Sequence, residues 1–314
     1  MVGAFVRREL ALGEDVVVTT FLGGAAAMQG TIGAVYRAGV ATGALGAALL
    51  WADRHGVDDL HVLIDADDGH QARRAAMLEA GTVWQVARDG AEVVEARALP
   101  DEPEPPAGID DLIEILERHR LEIVAEHGVV IAELRGLEVA RIAPHPAGPQ
   151  LEVGVGRFDR EAGAMLRGGD DLDDRLADAL LEVGPHRLVG AEPHPVNRLC
   201  RERWLRSLAV DDPSPLRVAD LVPVSPARPR PNLRHPVAAP ARGVDTDGQP
   251  TLVMFSAGVD LDLVPHTSDL VAREGAARVV LAGLARDQLE PIRRLAGRLP
   301  VPVSFAALDR PWPQ

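Results

Sequence analysis

No lysine occurs among the 314 residues, so every one of the 33 basic side chains is arginine. That absence removes a P-loop lysine, a Schiff-base amine, a kinase-type ATP lysine and a serine–lysine dyad. A single cysteine, Cys200, leaves neither a disulfide framework nor a thiolate zinc cluster. Its surroundings, NRLCRERWL, read as helix, which predicts a small buried thiol rather than a nucleophile. One tyrosine and four tryptophans are too few for the multi-ring platforms that grip single strands. Long apolar runs are missing too. Arg7 and Arg8 are not followed by a signal-peptide core, and Ala38–Ala52 falls short of the ~18–20 residues a bilayer needs. A soluble, reducing, cytoplasmic setting is expected.

Acids outnumber bases, 47 to 33, for a net charge of −14. The molecule as a whole therefore repels polyanions, which counts against nucleic acid as a partner without closing the option. The surplus is uneven. Residues 185–245 carry ten arginines against six acids, so this stretch is positive in an acidic chain. Such asymmetry marks either an interaction surface or a strap over the protein's own acidic surface. Prolines 226, 229 and 231 place Arg228, Arg230 and Arg234 on an extended segment without regular structure.

Hydrophobic patterning gives an α/β fold. DVVVTTF (15–21) has a buried-strand pattern, and the Ala/Gly-rich stretch after Gly23-Gly24 reads as helical to His55. LHVLI (60–64) and 83–86 are further strands, with a helix over 71–79 between them. Strands alternating with helices imply parallel pairing. Pro100–Gly108, PDEPEPPAG, is an acidic linker, and Ile109–Arg120 an amphipathic helix. Residues 121–156 read as an antiparallel β-meander broken at Gly128, Arg135-Gly136 and His145–Pro149. The last part repeats strand, helix, strand, helix, strand. Its Arg273-Glu274-Gly275 echoes Arg54-His55-Gly56, and Arg293-Arg294 echoes Arg73-Arg74. The expected organisation is two similar Rossmann-like β-α-β-α-β units, 1–99 and 250–314, flanking the meander. Linker 100–108, a helix-plus-meander unit 109–183 and a helical then Pro/Arg-rich connection 184–249 lie between them.

Three constellations could carry chemistry. In LHVLIDADDGHQARRAAMLEA, Asp65 and Asp67 follow a buried strand, where open α/β sheets bind ligands and where two acids could share Mg²⁺. The alternative is a helix cap and first turn. This segment, about 39–89, resembles the DxD strand and helix of the TOPRIM domain of primases and topoisomerases. The resemblance implies a metal-dependent phosphodiester site, although Thr19-Thr20 stand where that family has a glutamate. In the meander, Glu133, Glu138 and Glu152 are candidate catalytic acids. With Glu114 and Glu126 they resemble in outline the core of restriction-endonuclease-like nucleases, whose acid-x-lysine becomes Glu152-Val153-Gly154 here. Strand alternation puts Glu133, Arg135 and Leu137 on one face and Glu138 on the other. The alternative is outward glutamates paired with Arg135, Arg141 and Arg157.

The third constellation, SAGVDLDLVPHTSDL, offers Asp260, Asp262 and His266 as ligand contacts. It lacks a Gly-x-Ser-x-Gly elbow for Ser256, and a capped helix entry explains much of it. His186 and His194 could share a metal, without a known ligand spacing. LEVGVGRFDREA and SAGVDLDLVP resemble a family of high-GC bacteria without an assigned activity, which implies no chemistry. Two function classes remain: a non-catalytic protein binding a small ligand or partner, and a Mg²⁺-dependent phosphodiester hydrolase acting on nucleic acid or nucleotides.

Overall fold

The computed structural model describes residues 1–38, 43–66, 69–88, 90–166 and 171–313. They form a mixed α/β fold with three sheets and nine α-helices among the described residues. The chain divides into two compact units, one of Met1–Pro100, Leu261–Arg273 and Leu289–Val303, the other of the remaining segments.

The first unit opens with helix α1 (Val2–Arg8) and an antiparallel ladder of β1 (Val17–Phe21), β2 (Gly24–Gln29) and β3 (Ile32–Arg37). Helix α2 (Ala44–His55), β4 (Asp59–Ile64), α3 (His70–Met77), β5 (Thr82–Val86) and β6 (Ala91–Val93) follow. The six strands line up in chain order; β3–β4 and β4–β5 are parallel, and β6 is antiparallel to β5. Phe5 of α1 meets Trp84 edge-on at 5.1 Å over Ala27, Ala34 and Leu63.

The parallel pairing of 60–64 with 83–86 is as expected. The helix expected from Gly23 to His55 is not: among the described residues only Ala44–His55 is helical, and Gly24–Gln29 and Ile32–Arg37 are strands. Alanine and glycine hide strand alternation because neither face looks apolar. Their smallness is what this sheet uses, since a Cβ on Gly24 would lie 2.3 Å from the Tyr36 carbonyl oxygen. The buried strand expected at 15–21 is also corrected. All five residues of β1 are exposed because β1 is the sheet's outer edge.

The second unit begins with α4 (Asp110–Arg118), then the expected meander: β7 (Glu122–Glu126), β8 (Val129–Leu134), β9 (Leu137–Ala143) and β10 (Gln150–Val153), antiparallel throughout. Two-residue loops join β7 to β8 and β8 to β9. Both loop positions have positive φ, 49° and 78° at His127-Gly128 and 48° and 71° at Arg135-Gly136, as tight hairpins of right-twisted strands require. Helices α5 (Gly156–Leu166), α6 (Leu172–Val183) and α7 (Arg201–Asp211) follow. Leu116, Leu137, Ile142 and Leu176 are fully buried between the sheet and its helices.

A five-stranded sheet completes the fold, in chain order: β11 (Val218–Pro223), β12 (Ala239–Asp245), β13 (Pro250–Ser256), then after α8 (Leu263–Glu274) β14 (Arg278–Gly283), and after α9 (Glu290–Ala296) β15 (Val303–Ala307). β13 and β14 are parallel. Gly56 and Gly275, the echoed glycines, both sit just past a helix with left-handed φ of 66° and 62°. Residues 224–238 form neither helix nor strand, as the prolines predict. No described helix is long and apolar enough to cross a membrane.

Candidate anion-binding groove

The meander and α7 enclose a lattice of buried charge. Gly136 permits it: a Cβ there would stand 2.2 Å from the backbone carbon of Arg203, so only glycine lets the β8–β9 turn lie against α7. Arg203 donates to Glu133 at 2.7 Å and to Glu126 at 2.5 Å, and Arg206 donates to Glu133 at 2.9 Å. Burial alone would raise the Glu133 carboxyl, but Arg206 and Arg203 hold it below its ordinary value. The same two glutamates, against an opposing burial, raise Arg203. Beside this lattice Glu138 accepts from Arg160 at 2.9 Å and from Arg141 at 2.7 Å.

Glu133 and Glu138 are direct partners across the hairpin and therefore share a face, contrary to the alternation expected from the sequence. A two-residue turn and a register shift after Ala132 reset the count. Nor do they point outward: Glu133 is 0% exposed and Glu138 2%. Glu152 stays half-exposed, 3.2 Å from Arg160. Glu138 and Glu152 share Arg160 while Glu133 is held by Arg203 and Arg206, so each is neutralised by guanidinium groups that a divalent cation would have to displace.

Against this lattice lies a groove of about 1120 Å³ with an apolar floor that includes Val129 and Ile131. Seven arginines line it against two glutamates, and five of the seven are ion-paired, Arg157, Arg160, Arg203 and Arg230 with Glu161, Glu152, Glu133 and Glu202 from outside the lining. Three of the seven are the buried or half-buried Arg141, Arg160 and Arg203. Arg230 pins the proline-rich strap, donating to Glu202 at 2.6 Å and to the Val237 carbonyl at 2.9 Å. The other three are exposed. Arg198 and Arg234 make no ion pair among the described residues, and Arg157, 86% exposed, pairs only along its own helix with Glu161 at 2.6 Å. On the same lip Phe158 is 84% exposed. The turn into α5 has its own carboxylate, because Val155 N–H donates to Asp159 Oδ2 at 2.7 Å. A second groove of about 700 Å³ shares Arg141, Arg157 and Arg160 with the first and adds Arg175 together with Glu152 and Glu161.

The other candidates lie elsewhere. Asp65 is exposed at the end of β4 and accepts from the Tyr36 hydroxyl at 2.8 Å, which raises the tyrosine. It does not cap α3, whose N-cap is Gly69 with no side-chain cap bond. Asp67 lies outside the described residues. Asp262 and His266 are buried at the start of α8, 6% and 3% exposed, and Asp260 is half-buried. Ser256 Oγ donates to the Gly258 carbonyl, and Asp269 accepts from Arg73 and Arg74 at 2.9 and 2.7 Å. His186 and His194 stack face to face, 3.7 Å between centroids and 8° between planes. Parallel rings aim their nitrogen lone pairs side by side, so the two do not converge on one ion. Cys200 is 2% exposed and burial pushes its thiol up to about 11, which leaves it protonated and unreactive. Among the described residues no three His, Cys, Asp or Glu side chains are grouped to hold a metal.

The groove arginines Arg141, Arg157, Arg160 and Arg198 were not among the residues the sequence singled out as a site. The positive stretch 185–245 was the one signal that pointed toward it, since Arg198, Arg203, Arg230 and Arg234 all fall there. Compared with protein-family models, curated proteins and solved structures, the chain matches none.

Proposed function

We propose that the protein is a non-catalytic, cytoplasmic binding protein whose groove over the meander takes an anionic ligand. One observation carries this: in a chain of net charge −14, seven arginines gather on one groove, and Arg157, Arg198 and Arg234 among them are exposed. Arg198 and Arg234, without an ion pair among the described residues, leave positive charge that an anion in the groove relieves, and guanidinium forks match phosphate and carboxylate oxygens in pairs. Buried carboxylates already committed to arginine, and a thiol held protonated, support binding rather than chemistry at this place. On either side of the meander, β3-α2-β4-α3-β5 and β13-α8-β14-α9-β15 follow one order of elements with matching glycine caps. We read them as two Rossmann-like copies of a common unit, serving as scaffold.

Calorimetric titration with inorganic tripolyphosphate at low salt tests the assignment. Wild-type protein should bind, and Arg198→Ala/Arg234→Ala should lose affinity at least about tenfold, since each charge-assisted contact contributes about 1.5–3 kcal/mol. Both arginines are exposed, so the fold is left intact. Equal heats from the two proteins would remove the groove from consideration.

A further inference from the structure

Resting on that anion-binding assignment, we infer that the occupant of the groove is a single-stranded nucleic acid, its phosphates laid along the arginines and one base stacked on Phe158. The first support is continuity. The grooves of about 1120 and 700 Å³ share three arginines, so one series of guanidinium groups runs from Arg234 on the strap to Arg175 on α6, with Glu138, Glu152 and Glu161 set among them. An isolated phosphate or a nucleoside triphosphate would use part of that track. A phosphodiester chain repeats its charge at every nucleotide and uses the whole of it.

Phe158 is the second support. Its ring is 84% exposed on the lip, next to Arg157, which is 86% exposed. An aromatic face beside a basic track is what an unstacked base needs, and guanidinium planes add to it. A duplex keeps its base faces covered and has no use for the ring. The scarcity of aromatics that argues against a platform of several rings leaves room for one ring and one stacked base.

The net charge of −14 is no obstacle within the groove. Charges more than about 8 Å away are largely screened at physiological salt, so Arg198 and Arg234, unpaired among the described residues, outweigh the distant acids there. An acidic peptide is the competing occupant, because Glu102 of the chain's own linker accepts from the His127 N–H at 2.6 Å on the same rim. It would satisfy the arginines and leave Phe158 without a partner.

Fluorescence anisotropy with labelled oligothymidylate, a trinucleotide against a dodecanucleotide, tests the inference on the full chain at about 50 mM salt. The longer strand should bind at least about tenfold more tightly. Phe158→Ala should weaken the dodecanucleotide about tenfold and leave tripolyphosphate binding unchanged. Arg175→Ala should weaken the dodecanucleotide alone. Equal affinity for the two lengths, a neutral Phe158→Ala, or competition by poly-glutamate as effective as by the dodecanucleotide would overturn it. Should these results come while tripolyphosphate still binds, the nucleic-acid inference falls and the anion groove stands. If tripolyphosphate also fails to bind, both fall.

Discussion

Glu122 sits on β7 directly opposite Glu133, and burial first, then that second carboxylate, push its pKa up to about 7. Ser207 Oγ, donating at 2.6 Å, and the charge of Arg206 offset only part of this. The ordinary value is 4.5, so between about pH 4.5 and 7 the folded chain keeps a proton that the unfolded chain releases. Unfolding therefore sheds a proton in that window, and stability falls as pH rises through it. Glu122→Gln keeps an acceptor for Ser207 and removes the titration. Urea unfolding should find it more stable than wild type by about 2–3 kcal/mol near pH 8 and equal to it near pH 4. Parallel stability curves for the two proteins across that range would refute the assignment. The sequence marked Glu126, Glu133, Glu138 and Glu152 as unusual acids in strands, and it missed Glu122. It could not show what these acids meet, because Arg203 stands 70 residues beyond Glu133 in the chain. A carboxylate's role is set by the cation folded onto it, and that is a long-range fact.

Elements were legible where their cause is local. The meander and its breaks followed from Gly128 and Arg135-Gly136, since a two-residue hairpin loop depends on the residues within it. The parallel pairing of β4 and β5 followed from their apolar runs and the helix between them. β2 and β3 were not legible, because their Ala and Gly residues are chosen for close approach and carry no apolar alternation. Gly136 joins both kinds of cause. Its φ of +71° serves the turn, and its missing Cβ lets α7 bring Arg203 and Arg206 onto Glu133. Gly136→Ala meets backbone strain and a backbone clash at once, and neither can relax without moving α7. A loss of more than about 2 kcal/mol is expected in chemical denaturation, with weakened tripolyphosphate binding as the lattice under the groove shifts. Gly248 is the matched control: its φ is also positive, but an added Cβ would meet nothing within 4 Å, so alanine there should cost only the strain.

For the whole molecule, a net charge is an average that conceals where the charges lie, and the groove is positive although the sum is −14. Chain order conceals the units in the same way. The first compact unit takes in Leu261–Arg273 and Leu289–Val303, so residues 1–100 are not all of it. Three contacts within that unit show what the later segments contribute. Asp269, 1% exposed, accepts from both Arg73 and Arg74. Gly46 of α2 has no Cβ because the Leu261 carbonyl oxygen would lie 1.9 Å from it. Arg294 of α9 pairs with Asp53 at 2.9 Å. Removing these segments would leave two guanidinium groups on α3 without their carboxylate, and the part of α2 that meets Leu261 and α9 in water. Losing one partner of a buried ion pair costs about 3–5 kcal/mol, a large share of the ~5–15 kcal/mol that holds a domain together. A fragment of residues 1–108 should therefore show no cooperative thermal transition by circular dichroism, while full-length Asp269→Asn should keep one at a lowered midpoint. A fragment that melts cooperatively within a few degrees of the full chain would mean that α8 and α9 are dispensable to this unit.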